Sequence, residues 1–239
     1  MNHASDRRSR IVAAVARVTG IAFVLLALFP SRLTTIKLAL IGCGLACWVA
    51  CLFLTWRRPA LRSAILAVVL VPVGFLVLPG RPFDHQALRR EYVSSMRSYL
   101  GTRYIWGGGN RLGIDCSGLI QRGLVDADIK QAVKTANPRL ARAAVALWWH
   151  NRSADALGSG YRGETRLRAE IDSLNDAAPG TLQPGDIAVV EGGAHTLAYE
   201  GEHVWIQALP PGVYERTTPC DEFSFNTPAR ILRWTVFET

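Results

Sequence analysis

Residues 103–121 read RYIWGGGNRLGIDCSGLIQ, and this stretch decides how the C-terminal part of the chain folds. A glycine-rich turn runs into Asp115, Cys116, Ser117 and Gly118, and the apolar residues that follow predict a helix. The turn delivers Cys116 to the first turn of that helix. Unpaired backbone N–H groups and the helix dipole there favour a thiolate, so the pKa of the cysteine is expected to fall. Cys116 is therefore a candidate nucleophile; the alternative is a buried free cysteine without a chemical role.

The net charge of the chain is concentrated in its first third. Residues 1–80 contain nine of the 27 Lys and Arg residues and one of the 19 Asp and Glu residues, which gives +8. Residues 81–239 are formally neutral. A nucleic-acid reader is expected to carry a basic excess on its folded domain, so nucleic acid is set aside as a partner. The sequence predicts a membrane anchor over residues 1–80 and one folded domain over residues 81–239.

The first part contains three apolar runs of about the length that crosses a bilayer: Ile11–Phe29, Leu38–Trp56 and Ser63–Leu78. We expect about three transmembrane helices there, with the lipid bilayer as their partner. A signal peptide would need a small-residue cleavage site after the first run, and none is evident. Two alternatives remain open. The later runs could be buried core helices, or only two spans could form, because the third run is short and contains Pro72.

Basic residues beside these runs predict the orientation. They gather before the first run and between the second and third: Arg7, Arg8, Arg10, Arg57, Arg58 and Arg62. The loop between the first and second runs contains only Arg32 and Lys37. Positive-inside counting therefore puts the N-terminus in the cytoplasm and residues 81–239 outside.

The five cysteines fall into two groups. Cys43, Cys47 and Cys51 are four residues apart, which places them on one helical face. We expect small residues that pack at a helix contact, with a metal or acylation role as the alternative. Cys116 and Cys220 lie outside the apolar runs, and a disulfide between them would silence the nucleophile. The sequence has no zinc-type cysteine pair and no phosphate-binding P-loop, so neither a metal nor a cofactor is expected.

The second part has helices first and strands later. Asp84 predicts the cap of a helix over about 85–100, and the Cys116 helix is expected to run to about Val125. Asn137 and Pro138 predict another helix start, and a further helical stretch is expected over about 164–174. Strands are predicted at Asp186–Glu191, Thr196–Glu200, Val204–Ala208, Val213–Thr217 and Ile231–Phe237. This order is typical of an α+β domain with an antiparallel sheet.

A nucleophilic cysteine needs a base and a group that orients the base. His195 opens a predicted strand after a diglycine turn, where its side chain can project into a cleft. The next strand carries Gln207, whose amide oxygen can accept from one imidazole nitrogen and leave the other for the thiol. His85, His150 and His203 are competitors, and a surface or core histidine remains the alternative for His195.

Four motifs in this order resemble those of the NlpC-type cell-wall peptidases, which are papain-like cysteine hydrolases of bacterial peptidoglycan stem peptides. The motifs are YIWGG at 104–108 with DCSGL at 115–119, LQPGD at 182–186, HTLAYEG at 195–201, and Gln207 followed by Ala208. The resemblance covers about residues 84–210. It implies a papain-like α+β fold and a cysteine peptidase or amidase without a cofactor.

The resemblance also implies a role for each matching position. Cys116 would attack the carbonyl carbon of the substrate, His195 would hold the thiolate as an ion pair and then protonate the leaving amine, and Gln207 would orient His195. The Cys116 N–H and the Tyr104 hydroxyl would bind the oxyanion. Trp106, Asp115 and Ser117 are counted as substrate-binding positions, although we interpret Asp115 and Ser117 as residues that shape the turn.

Two features depart from the family pattern. Gln207 stands where histidine is more usual, and glutamine can orient the ring but cannot carry charge. A helical insert at about 125–181 is longer than the family usually has there. Trp148, Trp149 and Tyr161 of the insert either cover the cleft or belong to the core, and aromatic residues dominate core burial.

The function that follows from the resemblance is hydrolysis of stem-peptide amide bonds by an enzyme held at the outer side of a bacterial inner membrane. The bond between D-glutamate and diaminopimelate is the expected target, and proteins of cell-wall synthesis or division are expected partners. One alternative is a catalytically silent scaffold, which would not need an intact tyrosine, cysteine and histidine. Another is a thiol-dependent acyltransferase, whose papain-like representatives typically have histidine before cysteine.

Overall fold

The structure is a computed structural model that describes residues 3–178 and 180–238. The chain forms two units, Met1–Pro79 and Gly80–Thr239. The helices are α1 (His3–Leu28), α2 (Thr34–Thr55), α3 (Pro59–Val77), α4 (His85–Arg97), α5 (Cys116–Thr135), α6 (Pro138–Trp149) and α7 (Ala154–Gly158). The strands are β1 (Gly109–Asn110), β2 (Gly113–Ile114), β3 (Thr165–Ile171), β4 (Ile187–Val190), β5 (His195–Gly201), β6 (Val204–Leu209), β7 (Gly212–Thr217) and β8 (Ala229–Trp234).

In the part of the first unit that the structure describes, there are three apolar helices, each long enough to cross a membrane. Their apolar side chains are largely exposed, as a surrounding lipid phase would require. The prediction of three helices is confirmed, and α3 continues through Pro72. Cys47 lies at the contact between α1 and α2, where its thiol donates to the Ala16 carbonyl at 3.5 Å. This position agrees with a packing role for that cysteine.

The second unit is built on a six-stranded antiparallel sheet with the order β3-β8-β4-β5-β6-β7. The helix α5 packs against β5 and β6 and is flanked by α4 and α6. It is buried on nearly all sides, which explains why apolar and small residues recur all round it. Helices followed by an antiparallel sheet confirm the predicted α+β class.

Helix starts follow the predicted caps, but one helix is longer than expected. The Asp84 carboxylate accepts from the backbone N–H of Gln86 and Ala87 at 2.8 and 3.0 Å, so it caps α4. The Cys116 helix runs to Thr135 and not to about Val125. Residues 126–135 contain no proline or glycine, so nothing interrupts the helix before Ala136 adopts a left-handed conformation.

The predicted helix over residues 164–174 is wrong, because this segment contains the edge strand β3. Its side chains alternate between apolar or small residues and Arg166, Arg168 and Glu170, which is the period of a strand. It pairs along β8, about 60 residues later in the chain. The insert is therefore only partly helical. The last predicted strand is also shorter, since β8 ends at Trp234 and a 3-10 turn covers Thr235–Phe237.

Candidate active site

Cys116 is the first residue of α5, and its side chain is buried. Its backbone N–H therefore has no acceptor within the helix. The backbone N–H of Thr196, the second residue of β5, lies within hydrogen-bonding reach of the Cys116 thiol. The start of α5 and the start of β5 thus meet at the sulfur atom, which puts Cys116 beside the strand that carries His195.

The turn before Cys116 is held by the Asp115 carboxylate. One of its oxygens accepts from the Gly118 N–H at 2.5 Å and from the Ser117 hydroxyl at 3.1 Å, and the other accepts from the Gly107 N–H at 2.8 Å. A Cβ atom at residue 118 would lie 2.3 Å from the Gly108 carbonyl oxygen, so only glycine fits there. These contacts agree with the interpretation that Asp115 and Ser117 shape the turn.

The Cys116 thiol is not acidified in the resting structure. Burial raises its pKa, and the neighbouring Asp115 carboxylate raises it further. Hydrogen bonds from Thr196 and from the Ser117 backbone act in the opposite direction and do not outweigh these two effects. The expected fall in the pKa of Cys116 is therefore wrong, because the helix start is buried beside a carboxylate.

His195 and Gln207 form the hydrogen bond that the sequence predicted. The His195 Nε2 and Gln207 Oε1 atoms are 2.8 Å apart, and both side chains are buried. The hairpin of β5 and β6 brings them together because Gln207 pairs opposite Leu197, which is two residues beyond His195 on the same face. The competing His85 makes its hydrogen bond elsewhere, between Nδ1 and the Val236 carbonyl at 2.6 Å.

The electrostatics of His195 mirror those of Cys116. Burial lowers the pKa of His195, while the hydrogen bond with Gln207 and the charges of Glu191 and Glu222 act to raise it. The raised pKa of the Cys116 thiol and the lowered pKa of the His195 imidazole both favour the neutral form of the group at rest.

Tyr104 lies close enough to the thiol for the two groups to interact electrostatically. Burial raises the pKa of Tyr104, and the charges of Cys116 and Asp115 raise it further, so the phenol stays protonated at neutral pH. A protonated phenol is a hydrogen-bond donor, as an oxyanion requires. Its backbone is held in place by the Pro211 carbonyl, which accepts from the Tyr104 N–H at 3.0 Å.

One protein-family model matches the part of the chain that contains this site. Residues 101–217 match the model of the NlpC/P60 family. The chain carries an NlpC/P60 domain. A solved structure, the NlpC/p60 domain of the peptidoglycan hydrolase SagA, is similar at 17% identity with a TM-score of 0.34; the match covers 62% of this chain and 98% of that one. No curated protein matches the chain.

NlpC/P60 domains are generally cysteine peptidases or amidases that act on peptidoglycan. The matched range begins before Tyr104 and ends after Gln207, so it includes Cys116 and His195. Within the described residues, the chain thus combines an NlpC/P60 domain with three apolar helices that are long enough to span a membrane.

The insert of this NlpC/P60 domain is attached to α5 through buried polar groups. The Gln121 amide donates to the Leu147 and His150 carbonyls, and its oxygen accepts from the Arg152 N–H at 3.2 Å. The Arg152 guanidinium is buried and donates to both carboxylate oxygens of Glu164.

The aromatic residues of the insert have different surroundings. Trp148 packs against the main core, and its ring centroid lies 6.2 Å from that of Trp149. Tyr161 is 42% exposed in a 3-10 turn. For Trp148 the core interpretation is therefore confirmed. Trp106, one of the predicted substrate-binding residues, is 86% exposed on the glycine turn that Asp115 holds.

Two residues near the site were missed by sequence reasoning. Thr196 contacts the thiol, and Glu222 accepts a hydrogen bond from the Gln207 amide at 2.7 Å. The position of Thr196 beside His195 was a usable signal. Glu222 had none, because it lies beyond β7 and only the tertiary fold brings it behind Gln207.

Proposed function

We propose that the protein is a membrane-anchored peptidoglycan hydrolase that cleaves amide bonds of stem peptides through Cys116, His195 and Gln207. The observation that carries this proposal is the buried hydrogen bond between His195 and Gln207 on a strand that starts beside Cys116, within an NlpC/P60 domain. Cysteine hydrolysis needs a nucleophile, a base and a group that orients the base, and these three residues supply that set.

In the first half of the reaction, the Cys116 sulfur attacks the amide carbonyl carbon while the thiol proton passes to His195 Nδ1. Nδ1 is the free nitrogen because Nε2 is occupied by Gln207. The tetrahedral oxyanion is bound by the Cys116 N–H and the Tyr104 hydroxyl; each such donor contributes about 2.7–4 kcal/mol to transition-state stabilisation. His195 then returns the proton to the amine as the C–N bond breaks, which leaves a thioester on Cys116.

In the second half, water replaces the amine. His195 Nδ1 accepts a proton from the water as its oxygen attacks the thioester carbon, and the same donors bind the second oxyanion. The carbon–sulfur bond breaks, the sulfur recovers its proton, and a carboxylic acid leaves. The buried surroundings of Cys116 and His195 keep the resting pair neutral, so the charges form only during the reaction.

The bond between D-glutamate and diaminopimelate is our proposed target, with Trp106 on the rim of the site available to contact the substrate. We also propose that α1–α3 hold the N-terminus in the cytoplasm and the catalytic domain outside, where peptidoglycan lies. A reporter enzyme fused after residue 239 tests this orientation. Activity of the reporter outside the cytoplasm supports the proposal, and activity inside contradicts it.

The hydrolase proposal is tested with purified muropeptides and the full chain in detergent micelles. Mass spectrometry should find new fragments with the wild type and none with Cys116→Ala or His195→Ala, and the fragment masses name the bond. Gln207→Ala should slow turnover less than either, because it acts through His195. Retained cleavage in Cys116→Ala or His195→Ala would contradict the assignment. No cleavage by a folded wild type whose Cys116 does not alkylate would favour a silent scaffold.

A further inference from the structure

The buried amide of Gln207 has a second partner, the carboxylate of Glu222, on the side away from His195. Gln207 Nε2 donates to Glu222 Oε2 at 2.7 Å while Gln207 Oε1 faces His195 Nε2 at 2.8 Å. We propose that Glu222 is a positioning residue that fixes the orientation of Gln207 and, through it, the tautomer and charge of His195. This inference rests on the proposed function of the same site and names a residue outside the predicted catalytic set.

The hydrogen-bond roles in this chain of groups are determined by Glu222. An ionised carboxylate only accepts, so the Gln207 NH2 group must point to Glu222 and the amide oxygen must point to His195. That oxygen also only accepts, so the proton of a neutral His195 ring must sit on Nε2. Nδ1 is then an acceptor, which is the state that a base for the thiol requires.

Without the Glu222 carboxylate, the Gln207 amide can turn over. Its NH2 group would then face His195 Nε2 and would favour the tautomer that carries the proton on Nδ1. A protonated Nδ1 of a neutral ring cannot take a proton from the Cys116 thiol. The orientation of the Gln207 amide therefore depends on its second hydrogen-bond partner, Glu222.

Glu222 is itself held by two residues of β7. The Arg216 Nε donates to Glu222 Oε1, and the Tyr214 hydroxyl donates to Oε2 at 3.4 Å. The Arg216 guanidinium carbon lies 4.2 Å from the centroid of the Tyr214 ring, so the two β7 side chains also hold each other. These hydrogen bonds fix the position of the Glu222 carboxylate that contacts Gln207.

Glu222 also supplies the charge that Gln207 lacks. When His195 becomes an imidazolium during the reaction, the neutral amide of Gln207 orients it without compensating its charge. Asp115 and Tyr104 are the titratable groups that interact with Cys116, and Glu191 and Glu222 are those that interact with His195. Both glutamates act to raise the pKa of His195. Among the two glutamates, Glu222 is the one that hydrogen bonds of Gln207 connect to the ring.

The test compares Glu222→Gln with Asp221→Asn in the full chain in detergent micelles. Asp221 is the exposed neighbour of Glu222, so its substitution removes the same charge without touching Gln207. In Glu222→Gln we expect kcat for muropeptide cleavage to fall on the order of 10- to 100-fold with little change in KM, because a hydrogen bond to a charged group is lost. Asp221→Asn should keep the wild-type kcat. Equal losses in the two variants, or no loss in Glu222→Gln, would overturn the proposal.

A second readout does not depend on cleavage. With 15N-labelled histidine, NMR titration reports the pKa of His195 and the nitrogen that carries its proton, and His195→Ala identifies the signal. We expect a lower pKa and a smaller share of the Nε2–H tautomer in Glu222→Gln, and wild-type values in Asp221→Asn. Arg216→Gln keeps Glu222 but removes the guanidinium that donates to its carboxylate. We expect this variant to lower the pKa of His195 and its share of the Nε2–H tautomer as well, but by less than Glu222→Gln.

The two readouts separate the two proposals. If the wild type cleaves no muropeptide but Glu222→Gln changes the His195 tautomer, the positioning role stands and the proposed function fails. If the wild type cleaves and Glu222→Gln alters neither kcat nor the His195 signals, the positioning role is refuted and the proposed function stands. If Glu222→Gln does not fold, unchanged His195 signals in Arg216→Gln refute the positioning role.

Discussion

Asp115→Asn should lower the stability of the second unit and raise the acidity of Cys116 at the same time. The carboxylate is buried and accepts from Gly118, Ser117 and Gly107. An asparagine keeps one acceptor oxygen for Gly118 and Ser117 but turns its NH2 group toward the Gly107 N–H. Two donors then face each other where a 2.8 Å hydrogen bond stood.

The expected loss in the free energy of unfolding is about 1.5–3 kcal/mol, the usual contribution of a hydrogen bond to a charged group. The same substitution should make Cys116 more reactive, although it makes the protein less stable. The negative charge of Asp115 raises the pKa of the thiol, so its removal lowers that pKa and increases the thiolate fraction at neutral pH. One substitution should therefore give a less stable protein with a more reactive cysteine.

The assay uses the full chain in detergent micelles. Urea titration with near-UV circular dichroism gives the stability, and iodoacetamide labelling between about pH 6 and 9 gives the reactivity. Mass spectrometry of the Cys116 peptide keeps the other four thiols out of the measurement. Asp126→Asn is the matched control, because the Asp126 carboxylate, within α5, likewise accepts a hydrogen bond, from the Tyr99 hydroxyl at 2.7 Å. It should cost stability without changing the labelling of Cys116. The reasoning would be refuted if the Asp115→Asn protein were as stable as the wild type, or if its Cys116 were labelled more slowly.

Three further predictions concern other buried polar groups. Thr196→Val should raise the pKa of Cys116 and slow its alkylation at neutral pH, since the substitution removes the Thr196 hydroxyl, which favours the thiolate; unchanged labelling kinetics would contradict this. Burial raises the pKa of Asp128 to about 8, so its contribution to stability is full below the unfolded value of 3.8 and is lost as the pH rises through about 8. Asp128→Asn should accordingly unfold at a higher urea concentration than the wild type at pH 9 and close to it at pH 5, and equal differences at both pH values would count against the shift. Arg152→Met should lower the free energy of unfolding by about 1.5–3 kcal/mol, because Glu164 and the Leu147 and His150 carbonyls lose a charged donor; an unchanged urea midpoint would contradict this.

The local parts of the candidate site were readable in the sequence. A glycine-rich turn followed by an apolar run predicted that Cys116 begins a helix, and two strands separated by a short glycine-containing turn predicted that Gln207 lies beside His195. These features depend on neighbours within about 12 residues, so propensity, capping and strand alternation are sufficient to predict them. The three apolar helices were likewise evident from length and composition alone.

Tertiary structure decided what depends on distant neighbours. The segment 165–171 is a strand because β8 supplies its hydrogen-bonding partner, and the chain that precedes it does not reveal that partner. The pKa of Cys116 is raised because the folded core removes water from a helix start that would otherwise favour the thiolate. Glu222 comes to lie behind Gln207 only when β7 and the turn after it fold against β6. Burial and long-range pairing are properties of the assembled core, so the sequence alone determined the chemical groups of the site and the fold determined their protonation and their supports.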